Sequence, residues 1–148
     1  MRGWVFILAV LLLSQAALAQ SGTIKLLALS ENPDGSTSGT VASLSLELRP
    51  GTERVFLETI PLTRVATQIS MRFAQQIACK EYDVDCADKD FVYTIVAQPG
   101  LVGGPSAGAA AAVLTASLLN GLPLRDDIAI TGTINSGGVI GPVGGVKE

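Results

Sequence analysis

A chain of 148 residues, 48% of them apolar and 16% charged, has the size of one domain and a globular rather than disordered composition. The net charge of −3, with no basic run anywhere, argues against nucleic acid as the main partner. No His is present, so imidazole-based chemistry is excluded, and two cysteines outside any C-x-x-C spacing leave zinc with too few ligands.

The first twenty residues, "MRGWVFILAVLLLSQAALAQ", place a basic Arg2 before an apolar stretch from Trp4 to Leu13 and a small-x-small Ala17-Leu18-Ala19. This is the pattern of a cleaved export signal over residues 1–19. An uncleaved membrane anchor is the rival reading, at about the 17-residue lower limit for a span. The remaining domain, residues 20–148, is then expected outside the cytoplasm, secreted or membrane-tethered. In an oxidising compartment Cys79 and Cys86, which flank the charged "KEYDVD", are expected to bridge; a buried free thiol at the end of a helix is the alternative.

Residues 23–29, "TIKLLAL", read as a strand, followed by a turn-rich connector. "VASLSLEL" (41–48) alternates apolar and polar residues, "RPGTE" turns the chain and "RVFLETI" (54–60) returns, which predicts a hairpin between the two. In residues 63–79 Val65, Ile69, Phe73 and Ile77 recur four apart, predicting an amphipathic helix with that stripe on its apolar face. A polar loop leads to the strand "FVYTIVA" (91–97), then to a Gly-rich turn and a helix of small residues that opens at Ser106 and ends at Asn120-Gly121. "DIAITGTI" (127–134) reads as one strand, and "NSGGVIGPVGG" as a glycine-rich crossing. This order predicts an α/β or α+β domain with a mixed sheet and packed helices.

Ser106 stands in "GPSAG" at a helix start, where unpaired backbone N–H groups and the positive end of the helix dipole form a ready oxyanion site. Gly103, Gly104 and Gly108 would let a substrate carbonyl approach the backbone. Against this stands an ordinary role for Ser106 as an N-cap on a helix built to pack tightly. A nucleophilic Ser needs a base, and without His the choice falls on lysine or a carboxylate. Lys25 lies in a strand, and Lys80 and Lys89 lie in the acidic loop. Lys147 follows "GVIGPVGGV", whose apolar residues and glycines would desolvate the amine and favour its neutral form; its alternative is a plain surface lysine beside Glu148. "GPVGGVKE" fails the phosphate-loop pattern, having Val between Gly and Lys and Glu where the hydroxyl belongs. "GPSAG" fits the lipase elbow, but that chemistry needs a His.

Three motifs in order, "GPSAG", "LPLRDDIAITGTI" and "GGVIGPVGGVKE", resemble the proteolytic domain of the Lon protease family, strongly over residues 104–148 and in layout back to about residue 23. The resemblance implies a serine endopeptidase acting on polypeptides through a Ser-Lys dyad. In it Ser106 is the nucleophile, Lys147 the general base, and Thr131 a hydrogen-bonding support for the lysine. The backbone N–H groups of Ser106 and Ala107 would form the oxyanion hole. It also implies a homo-oligomer, and a chain continuing beyond Lys147 into further elements that cover the amine, so that these residues are expected to be a truncated, inactive domain. Two features depart from the family. Gly103 stands where its bacterial members usually carry an acid, and these 148 residues contain no ATPase module, so ATP is expected only if a separate module supplies it. An exported binding or scaffold module of the same fold and a Ser-Lys amidase or esterase are the competing functions.

Overall fold

The structure, a computed structural model, describes residues 19–31, 34–60, 62–97 and 103–147. Residues 1–18 of the expected export segment and Glu148 lie outside the described residues. Among those described, no helix is long and apolar enough to cross a membrane.

Two long strands, β1 (Gln20–Glu31) and β2 (Thr37–Pro50), form an antiparallel hairpin in register from Gln20 opposite Leu48 to Glu31 opposite Thr37. Asp34 turns its tip by accepting from the Ser36 backbone N–H and hydroxyl. The connector expected over residues 30–40 is therefore mostly strand. β3 (Val55–Ile60), α1 (Val65–Glu81) and β4 (Lys89–Val96) follow, then a 3-10 turn (Pro105–Ala107) running into α2 (Gly108–Leu119), and three short strands, β5 (Ala129–Ile130), β6 (Thr133–Ile134) and β7 (Ile140–Gly141). The main sheet has the order β3-β4-β2-β1-β5, with β4 antiparallel to β2 and parallel to β3, and β5 parallel to β1. β6 and β7 pair separately. This is the mixed α/β architecture expected from the order of elements.

The hairpin expected between residues 41–48 and 54–60 does not form, because β4 enters between the two strands. β4 buries Phe91, Tyr93 and Ile95, whereas no residue of β3 is fully buried, so β4 gains more from the inner position and β3 is left at the edge. Asp90 fixes the exchange. Its carboxylate accepts from the Thr52 and Arg54 backbone N–H groups at 2.8 and 3.0 Å and pairs with the Arg54 guanidinium at 3.0 Å, tying the 51–54 turn to β4 rather than to β2. Those bonds, led by the Thr52 N–H, hold the Asp90 carboxyl below the usual carboxylate range.

One face of the sheet carries Ile24, Leu26, Leu44, Leu46, Leu48, Phe91, Tyr93 and Ile95 into a core shared with both helices. α2 packs on β1 and β2 and against α1. The face that α1 buries is not the predicted stripe: Val65 and Ile69 are 67% and 47% exposed, whereas Thr67, Ser70, Met71, Ala74, Gln75 and Ala78 are buried. The Ala-rich α2 comes so close that α1 meets it with mostly small side chains, and the branched residues turn outward. Within the core the Tyr93 hydroxyl on β4 and Thr115 Oγ1 on α2 lie 2.7 Å apart, and Thr115 Oγ1 donates to the Ala111 carbonyl at 2.6 Å. This buried link fixes α2, and with it Ser106, along the sheet. At the far end of α1, Cys79 and Cys86 form the expected disulfide.

Candidate active site

The single strand expected over residues 127–134 is broken at Thr131-Gly132, and the break positions Ser106. Gly132 donates its N–H to the Ser106 carbonyl at 2.8 Å and accepts from the Ala109 N–H at 3.0 Å. The chain is thereby taken out of the main sheet after β5 and laced to the start of α2. A Cβ on Gly132 would come 2.9 Å from the Ala109 Cβ, so only glycine permits this approach. β6 then turns through Asn135, whose Oδ1 accepts from the Gly137 and Val139 N–H groups, into β7.

The turn before Ser106 is held from the other side by α1. Thr67 Oγ1 donates to the Gly104 carbonyl at 3.0 Å and accepts from the Gly104 N–H at 3.3 Å, and Ser70 Oγ shares its proton between the Ala66 carbonyl at 3.0 Å and the Pro105 carbonyl at 3.3 Å. Gly104 has φ of 139°, a conformation costly for any residue with a Cβ. The three glycines expected to admit a substrate carbonyl therefore have separate roles. Gly104 makes the turn, a Cβ on Gly108 would meet Ile134, and a Cβ on Gly103 would meet the Arg64 side chain.

Ser106 is half-buried, and among the described residues no hydrogen bond engages its hydroxyl. The N-cap reading does not hold, since Gly104 caps the 3-10 turn and Ala107 caps α2, neither with a side-chain bond. The hydroxyl opens on a cleft of about 710 Å³. Leu27, Leu29 and Val41 on the outward face of the hairpin form one wall and residues 142–146 another, and Thr131 and Thr133 also line it. Gly145, at φ of 71°, rests on Leu29, which keeps the second wall against the end of β1. Among the described residues no lining side chain is charged.

Thr131 lines the cleft, with its hydroxyl 3.5 Å from the Ser106 carbonyl. Lys147 follows Val146 of the far wall, is exposed, and makes no hydrogen bond to Ser106 or Thr131. Thr67, Ser70 and Arg64 are contributors that the sequence reading did not single out. The signal for Thr67 and Ser70 was a pair of hydroxyl residues three apart in α1, overshadowed by the more hydrophobic Val65–Ile77 series. Among the described residues no three metal-binding side chains converge.

Residues 64–148 match the family described as the Lon protease (S16) C-terminal proteolytic domain. The Lon protease of Paraburkholderia phytofirmans is 40% identical over 73 residues, 47% of this chain and 9% of that protein. That of Syntrophomonas wolfei is 56% identical over 45 residues, 30% of this chain and 6% of that protein. That of Fervidobacterium nodosum is 29% identical over 122 residues, 81% of this chain and 15% of that protein. The matched part thus spans a small fraction of the length of each of these relatives.

Proposed function

The chain belongs to the Lon protease family through its proteolytic domain, and from that membership we propose that it hydrolyses peptide bonds with Ser106 as nucleophile and Lys147 as general base. The observation that carries the reading is the Ser106 hydroxyl at the start of α2, which no described residue hydrogen-bonds and which faces a cleft of about 710 Å³ without a charged side chain among its described lining.

In this reaction the neutral Lys147 amine takes the proton of Ser106 Oγ as the oxygen adds to the substrate carbonyl. The Ser106 and Ala107 N–H groups, at the positive end of α2, stabilise the oxyanion. The lysine passes the proton to the leaving amine, and water then cleaves the acyl-enzyme by the same route. Thr131 Oγ1 steadies the ammonium. Because the Lys147 side chain is exposed in this structure, catalysis requires it to swing across Val146 into the cleft and lose its hydration. Long distances in an unliganded site do not exclude such a base.

The Cys79–Cys86 bridge supports the further proposal of an exported, extracytoplasmic protein, secreted or tethered by its first 19 residues, since disulfides persist in oxidising compartments. Polypeptides are the proposed substrates, assembly into a homo-oligomer is proposed from family membership, and ATP enters only through a separate module.

The exposure of Lys147 favours one second reading, a binding module that keeps the fold without turnover. A fluorophosphonate probe followed by peptide mass spectrometry separates the two. Covalent labelling of Ser106 in the full-length protein, lost in Ser106→Ala, Lys147→Ala and Lys147→Arg, is the expected result; arginine fails because a guanidinium does not release its proton. An unlabelled wild-type protein would leave the binding module standing.

A further inference from the structure

Arg64 is the residue immediately before α1, and its side chain lies flat on Gly103, three residues before Ser106. A Cβ on Gly103 would fall 2.6 Å from Arg64 Cγ, 2.8 Å from Cδ and 3.2 Å from Nε, so the stem and the base of the guanidinium occupy the space that any other residue's side chain would take. The position is fixed by α1 itself: Thr67, whose N–H donates to the Arg64 carbonyl at 3.1 Å, grips Gly104 through both of its backbone groups. Arg64 is exposed, and among the described residues no carboxylate pairs with it, in contrast to Arg49, Arg54 and Arg125, each of which has an acidic partner. Among the described residues no charged side chain lines the cleft, and Arg64 stands just outside that lining, against Gly103, which belongs to it. A substrate extending past Gly103 meets a guanidinium that no described carboxylate pairs with.

We propose that Arg64 is a specificity-determining residue that selects peptides carrying a carboxylate, an Asp or Glu side chain, at the position seated over Gly103, with apolar residues in the remainder of the cleft. A guanidinium presents two parallel N–H donors to a carboxylate and is weakly hydrated for a cation, so it discriminates Glu from the isosteric Gln by charge and by pairing geometry together. The site sits at the rim, where solvent screens the pair, so the preference is modest, about fivefold for Glu over Gln. This assignment rests on the peptidase reading of the Ser106 cleft.

The test uses the full chain and decapeptides of one apolar sequence, with Glu or Gln placed at each position in turn. It reads kcat/KM with the wild-type protein and Kd by fluorescence anisotropy with Ser106→Ala. One position is expected to favour Glu about fivefold in both readouts, and the ratio falls towards one when salt rises from about 0.01 M to about 1 M, where the Debye length shrinks from about 30 Å to about 3 Å. Arg64→Gln removes the ratio and Arg64→Glu turns it into a preference for Lys. Gly103→Ala, which keeps every charge but displaces the arginine stem, lowers the ratio as well. Turnover with no Glu-over-Gln preference at any position, or a preference that survives Arg64→Gln, overturns the role of Arg64 and leaves the peptidase intact. Glu-selective binding without turnover overturns the peptidase and supports the role of Arg64.

Discussion

Gly108 is the residue whose replacement tests most directly how the fold holds Ser106. A methyl group there would lie 2.5 Å from Ile134 Cγ2 and 3.1 Å from the Ile134 backbone nitrogen. Carbon atoms in ordinary contact are about 3.5–4.0 Å apart, so Gly108→Ala demands a shift of roughly 1 Å between α2 and β6. β6 cannot simply retreat, because the two Gly132 backbone bonds, at 2.8 and 3.0 Å, lace the preceding residues to Ser106 and Ala109. Overpacking of this kind costs about 1–3 kcal/mol. The higher helix propensity of Ala offsets up to about 1 kcal/mol of that, leaving a net loss of about 1–2 kcal/mol. For a domain of this size the melting temperature should fall by roughly 4–8 °C. A displacement of Ser106 by about 1 Å should also slow fluorophosphonate labelling by about two orders of magnitude. Ile134→Ala removes the obstructing methyl, so in that background Gly108→Ala should cost at least about 1 kcal/mol less than it does alone. Thermal melts and labelling rates on the four proteins of this cycle are the assay. A Gly108→Ala protein that melts and labels like its parent, or costs that simply add, would refute the reasoning.

Three further outcomes follow from the packing. In the buried Tyr93–Thr115 link, Thr115 gives its proton to Ala111, so the Tyr93 hydroxyl is the donor. Tyr93→Phe should therefore cost about 1 kcal/mol, and Thr115→Val, which strands a buried hydroxyl, nearer 2–3 kcal/mol; urea unfolding giving the reverse order would contradict this assignment of donor and acceptor. The Asp90 carboxyl is held low, so its contribution is fully present above the unfolded value near 3.9 and is lost as pH falls through the lower folded value. The stability gap between wild type and Asp90→Asn should accordingly close as pH falls from about 6 to about 2.5, and a gap that widens in acid would reverse the sign. The Cys79–Cys86 bridge closes a short loop across a separation of 7 residues, and its reduction should cost about 2 kcal/mol. Because the bridge lies at the end of α1 remote from Thr67, the rate of Ser106 labelling below the melting point should not change, which stopped-time labelling in reductant will show.

How much of this molecule was legible in advance varies from element to element. Short-range patterns carried well. Alternation in residues 41–48, the apolar run at 91–97, the helical content of 63–79, and the glycine and asparagine after α2 each reflect a local backbone preference that tertiary contacts reinforce. The bridge between Cys79 and Cys86 was legible for the same reason: a helix end and a short polar loop bring the two residues together without reference to the rest of the fold. The grouping of "GPSAG", the T-G step and the Lys147 segment was legible because three separate motifs stand in one order.

Other features depend on which segments come together. Nothing local to residues 49–60 says that β4 will part β2 from β3; that follows from the burial of Phe91, Tyr93 and Ile95 and from Asp90 capturing the 51–54 turn. The inward face of α1 was misread because amphipathicity assumes an average neighbour, whereas the neighbour here is an alanine helix that admits only close, mostly small contacts. Residues 127–134 carry one continuous strand pattern, yet Gly132 is claimed by the start of α2 and the pattern is cut in two. The amino-acid sequence by itself determined the class of fold, the disulfide and the nucleophile candidate, since each is written in contiguous residues. Tertiary structure alone decided the strand order, the three separate roles of the glycines around Ser106, the exposure of Lys147 and the placing of Arg64 over Gly103, because each depends on the distance between segments far apart in the chain.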